Sequence, residues 1–158
     1  MGPTRSGGWP SGRGKSSGEE DASTGYLEAA ARYVEAMYAG GKAGLEPAHD
    51  ALVELALSLG GDIRICPCQT IVPIYRNHVI AQIKPSTRVR IDFGLALGDA
   101  RPTKRLLDTG GFAKKDRITH RVEITAPRDI DDQVRQWLRL AYDRDREPAR
   151  GRPAAKLR

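Results

Sequence analysis

Arg88-Val89-Arg90-Ile91-Asp92-Phe93-Gly94-Leu95-Ala96-Leu97 is the stretch that decides the architecture of this chain. Val89, Ile91, Phe93 and Leu95 alternate with Arg88, Arg90 and Asp92, a period of two that sends successive side chains to opposite faces of a strand. An apolar face backed by a charged one is the pattern of an antiparallel sheet covered by helices on one side only. Outward from it, Ile63–Cys66, Thr70–Arg76 and Val79–Lys84 read as earlier strands, and Arg117–Thr125 as a later one with Ile118, His120, Val122 and Ile124 on one face. Turn-forming residues at Arg76-Asn77-His78 and Pro85-Ser86-Thr87 join the earlier runs into consecutive hairpins. Gly94, Gly98 and the Gly110-Gly111 pair break the strand signal and leave Asp99–Thr109 as a loop with a short helical turn at Thr103–Leu107.

Helical spacing lies at the two ends of this β-rich block. Leu27, Ala30, Ala31, Val34 and Met37 mark a first helix, capped by Thr24 and stopped by Gly40-Gly41. A second runs from about Leu45 to Leu59, with Leu45, Leu52, Leu55, Ala56 and Leu59 on one stripe and Gly60-Gly61 as its stop. The third starts near Asp129, whose charge suits a helix N-terminus, and turns Ile130, Val134, Trp137, Leu138 and Ala141 inward. The expected fold is α+β, an antiparallel sheet of about five strands packed against two N-terminal helices and one C-terminal helix.

A length of 158 residues suits one domain. Residues 1–23 and 145–158 are rich in Gly, Ser, Pro and Arg and carry few apolar anchors to repay the entropy of ordering, so they read as disordered tails around a domain at 24–144. With 39% apolar and 29% charged residues, no stretch is long and apolar enough to span a bilayer. Met1 to Gly18 lacks the apolar core of a secretory signal, and a cytoplasmic location is the expectation. Cys66 and Cys68 are too few and too close for a disulfide scaffold.

Charge placement carries the functional reading. The formal net charge is +6, yet residues 76–121 alone hold 11 Lys and Arg against 4 Asp and Glu, and residues 144–158 hold 6 against 2. Concentrated charge of one sign raises the local concentration of phosphate backbones. The candidate nucleic-acid-binding residues are Arg76, Lys84, Arg88, Arg90, Lys114, Lys115, Arg117 and Arg121, with Tyr75 and His78 as stacking partners. Arginine forks and lysine ammonium groups hold phosphates without reading sequence, which points to a non-enzymatic accessory protein that binds nucleic acid, DNA before RNA. The same residues also read as a solvated strand face paired with Asp92 and Asp116. A protein-interaction or homo-oligomerising module, using the sheet edge or the helix around Ala30–Tyr38, is the alternative.

Two other chemistries are weaker. Cys66, Cys68, His78 and His120 are residue types that bind zinc, but their spacing matches no zinc motif, and no metal or other cofactor is expected. Asp92 with His78 or His120, aided by Lys84 and Arg90, could supply acid and base, although no nucleophile elbow or phosphate-binding glycine loop selects a reaction.

Several runs together carry a family resemblance: Cys66-Pro-Cys68, Ile71-Val-Pro-Ile-Tyr-Arg76, Ala81-Gln-Ile-Lys-Pro-Ser-Thr-Arg88, Arg90-Ile-Asp-Phe-Gly-Leu95, Arg105-Leu106, Gly111-Phe112, Thr119-His-Arg-Val122, Trp137-Leu138 and Ala141-Tyr142. Over about Thr24 to Asp143 the chain resembles the bacterial family catalogued as domain of unknown function 5655, often found downstream of the domain numbered 4287. Fusion of such relatives to restriction-type or nuclease-type domains implies, by resemblance, an accessory role near nucleic acid. Where many relatives have paired lysines followed by an aromatic residue, this chain has Cys68-Gln69 and Ile71, so a role that needs those lysines does not carry over.

Overall fold

The computed structural model describes residues 28–146 of the chain. The first helix, α1 (28–37), buries Ala30 and Met37; its expected cap at Thr24 lies outside the described residues, as do residues 1–23 and 147–158 of the expected tails. Gly40, at φ +64, ends that segment, and a 3-10 turn over Gly40–Leu45 delivers the chain into α2 (Glu46–Leu57). Pro47 stands in the first turn of α2, where its missing N–H has no helical partner to lose. Leu45, Leu52 and Ala56 of the expected stripe are buried, and Ala48 and His49 join them.

Six antiparallel strands follow: β1 (Arg64–Ile65), β2 (Val72–Tyr75), β3 (Val79–Pro85), β4 (Ile91–Leu95), β5 (Leu107–Asp108) and β6 (His120–Ile124), in the sheet order β1-β2-β3-β4-β6-β5. Register explains the core. Val72, Ile83, Phe93 and Val122 lie opposite one another across four strands, as do Ile74, Ala81, Leu95 and His120, and both rows are buried. Each fully buried Ile, Leu or Phe contributes about 1.5–3 kcal/mol over leaving it in water, so a one-residue slip that turned these rows outward would be ruinous. Leu52 and Ala56 of α2, and Val134, Leu138 and Ala141 of α3 (Asp132–Arg144), close the same core. The other face carries Gln82, Lys84, Asp92, Gly94, Arg121 and Glu123.

The architecture is the expected α+β arrangement, with one strand more than expected. β5 sits where a loop with a helical turn was expected. Instead Thr103 closes a bend, its N–H donating to the Leu106 carbonyl at 3.0 Å and its Oγ1 accepting from Leu106 N at 3.1 Å, and the chain then pairs with β6 at the sheet edge. Val89 is 70% exposed rather than inward-facing, because the hairpin closes through Ser86 N–H to Arg90 O and the strand begins only at Ile91. Ile118 does not share the face of His120. Thr119 and His120 are buried in succession, which breaks the alternation just before β6 and leaves Ile118 against Gly94 on the open face. The last helix begins at Asp132, capped by Asp131, whose side chain accepts from Val134 N; Asp129 belongs to the 3-10 turn Pro127–Asp129 ahead of it. Asp145, the residue after the expected end of the domain, is buried.

Candidate functional site

Between β5 and β6 the chain makes a tight excursion over residues 109–119. Asp108 Oδ1 accepts from Gly110 N at 2.7 Å, Thr109 Oγ1 from Gly111 N at 3.0 Å, and Asp116 N–H donates to Gly111 O at 2.8 Å. Gly111 passes so close to the Ile118 carbonyl that a Cβ there would overlap it. Lys115 takes the left-handed conformation, φ 65, unusual for a residue with a side chain and worth about 1–2 kcal/mol of strain. The result is an internally hydrogen-bonded loop whose residues line two cavities.

The first cavity, about 670 Å³, opens on the uncovered sheet face and is lined by Gln82, Lys84, Asp92, Gly94, Arg121 and the loop residues Asp116, Arg117 and Ile118, with Asp108 and Thr109 at the β5 edge. Gly94 makes its floor: a Cβ would stand 2.7 Å from Ile118 Cγ2 and 3.0 Å from Gln82 Cγ. The second, about 560 Å³, is lined by Ala96, Gly98, Phe112, Lys115, Asp116, Arg117, Thr119 and Arg144. Gly98, at φ +59, lets the Arg144 guanidinium lie directly over its Cα, where any side chain would collide with it. Asp116 and Arg117 line both.

Electrostatics separate the expected cations into two groups. Asp92 ties together Arg90 and Arg121, each at 3.0 Å, and accepts from Ser86 Oγ at 2.6 Å; Glu123 adds a second carboxylate to Arg121, also at 3.0 Å. Burial alone raises the Asp92 carboxyl, but the hydrogen bonds from Ser86 and Arg90 and the charges of Arg90 and Arg121 outweigh it and hold it below the usual carboxylate range. Arg76 pairs with Asp62 at 2.8 Å and lies over the Tyr142 ring at 3.9 Å, away from both cavities. Arg88 leans on Gly41, and Lys114 is exposed on the loop. Among the described residues no carboxylate comes within 4.0 Å of Lys84, Arg88, Lys114, Lys115 or Arg144, and Arg117 has only Asp145, at 3.8 Å. The eight cations therefore do not form one continuous sheet patch. Lys84, Lys115, Arg117 and Arg121 gather around the loop, and the sheet face itself is of mixed charge.

Tyr75 and His78 are occupied elsewhere. Tyr75 lies beneath Arg64 at 5.4 Å, and His78 Nδ1 donates to Asp145 at 2.6 Å. His120 donates from Nε2 to Ala100 O at 2.9 Å, and its Nδ1 shares a hydrogen bond with the Thr119 hydroxyl, 2.8 Å away. Asp92, His78 and His120 thus serve three separate hydrogen-bond systems and do not converge on a reacting centre. Among the described residues no group of three or more His, Cys, Asp or Glu side chains is placed to hold a metal ion; Cys66 and Cys68 are free thiols in the β1–β2 connection.

Arg144 and Phe112 are site residues that sequence reading missed. Arg144 is the last residue of the expected domain, next to the tail, and Phe112, 57% exposed, follows a Gly-Gly pair that read only as a break. Gly98 itself was the available signal, since a glycine that ends a strand permits a close approach, here at φ +59.

The model of the family described as domain of unknown function (DUF5655) matches residues 34–145. The chain belongs to that family. The matched span starts within α1 and stops at Asp145, and so takes in the sheet, the 109–119 loop and both cavities. No curated protein and no solved structure matches the chain. Among the described residues of this DUF5655 chain, no helix is long and apolar enough to cross a membrane.

Proposed function

We propose that this DUF5655 chain is a non-enzymatic nucleic-acid-binding protein, DNA being the first candidate, whose contact surface is centred on the 109–119 loop. The observation that carries the reading is convergence: Lys84 of β3, Lys115 and Arg117 of the loop and Arg144 of α3 line two adjoining cavities. Lys115, Arg117 and Arg144 share the second cavity with a single carboxylate among its lining residues, Asp116. Such an excess of cations in a concave site, left largely unneutralised from within, suits phosphate oxygens of a backbone crossing the loop. Arg90 and Arg121, already joined to Asp92 and Glu123, act as a frame that orients the sheet face rather than as free phosphate ligands.

The test is fluorescence anisotropy with a labelled DNA oligonucleotide over a salt series. Engagement of three or four phosphates predicts a log–log slope of about −3 against salt, reduced in magnitude by about two in Lys115→Glu/Arg144→Glu. Binding that is absent at low salt, or unaffected by that double charge reversal, refutes the proposal.

A further inference from the structure

The second cavity holds more than charge. Phe112, one of the few large apolar side chains left exposed among the described residues, stands at its rim, while its other lining is small or short: Ala96, Gly98 and Thr119. Backbone phosphates have no use for an exposed aromatic ring; a nucleobase does, because every base offers a π-face to stack on. Lys115, Arg117 and Arg144 line the same cavity as the ring. Arg144 is held over Gly98, and Lys115 is brought into the lining by a backbone conformation that costs free energy to keep. Resting on the nucleic-acid reading above, we infer that the second cavity receives an unpaired nucleotide of a single strand, its base against Phe112 and its flanking phosphates on Lys115, Arg117 and Arg144. A base within a duplex has both faces stacked and cannot reach the ring without unpairing, so the site discriminates against double strands.

Anisotropy with one labelled 20-nucleotide single strand and its matching duplex, at a fixed low salt concentration, tests this. The expected result is tighter binding of the single strand, weakened at least five-fold by Phe112→Ala and retained by Phe112→Trp, with duplex binding within two-fold of its starting value in both variants. Phe112 is outside the buried core, and thermal melting of each variant verifies that the fold is intact. Equal affinity for single strand and duplex, both indifferent to Phe112→Ala, overturns the stacking site while leaving a phosphate-binding surface in place. If neither oligonucleotide binds, the nucleic-acid reading falls and the stacking site with it.

Discussion

Replacing Asp145 by alanine is the sharpest test of how the C-terminal end of α3 holds the sheet. Its carboxylate, 2% exposed, accepts from the backbone N–H of Asn77 at 2.8 Å, the backbone N–H of His78 at 2.7 Å and His78 Nδ1 at 2.6 Å, so one side chain satisfies both of these amides of the β2–β3 turn. Alanine leaves two backbone amides without an acceptor. Each costs about 1–3 kcal/mol when buried; the turn is only partly buried, so the low end applies, about 1 kcal/mol apiece, with about 1 kcal/mol more for the imidazole bond. The expected loss is about 3 kcal/mol, which for a domain near this size lowers Tm by roughly 10 °C. Urea unfolding is the assay, and the midpoint should fall at unchanged m-value. Asp145→Asn keeps an acceptor oxygen for the amides and should lose about half as much, while His78→Ala loses only the third bond. If Asp145→Ala shifts stability by less than about 0.5 kcal/mol, the carboxylate is not the anchor of the turn.

Other expectations follow from single residues. Lys115→Gly relieves the left-handed strain and should raise stability by up to about 1 kcal/mol while weakening oligonucleotide binding, a pairing of opposite signs that denaturation and anisotropy can read on the same sample. Gly111→Ala forces a methyl group against the Ile118 carbonyl and should destabilise by at least about 2 kcal/mol or shift the loop, whereas Gly94→Ala meets only side-chain atoms and should cost less. His49, buried and sharing a 3.0 Å hydrogen bond with Tyr38, has its imidazole pKa lowered by burial, partly offset by Asp50. The unfolded chain therefore binds a proton that the folded one resists, so stability should fall as pH drops below about 6.5, the ordinary histidine value, and His49→Gln should flatten that limb of the profile in urea titrations at pH 5 to 7.

Much of this organisation was legible from the chain alone because it is written in short-range periodicity. The alternation of Ile91, Phe93 and Leu95 with Arg90 and Asp92 gave β4, the Arg76-Asn77-His78 turn gave the β2–β3 hairpin, and the spacing of Leu45, Leu52 and Ala56 gave α2. β5 was hidden because Leu106-Leu107-Asp108 carries no β-branched residue, whereas Ile63 and Ile65 marked the equally short β1. Asp145 was hidden for a different reason: it stands among arginines, and only its distant partners, Asn77 and His78, make it a core residue. The cations could be enumerated but not sorted, since which of them meets Asp92, Glu123 or Asp62 depends on strand register. Lys115 gave no hint of its backbone conformation, lysine being no usual occupant of the left-handed region.

β6 lies between β4 and β5 although the chain must travel from Ala96 to Thr119 before it can pair there. The β2–β3–β4 meander closes through near neighbours, whereas docking β6 requires a long loop to shut first, and that entropy is recovered only once Val122 and Ile124 are seated. Truncating those two side chains should accordingly hasten unfolding far more than it slows refolding. A chevron would show the change on the unfolding limb alone, marking this interior strand, with only β5 outside it, as the last to arrive.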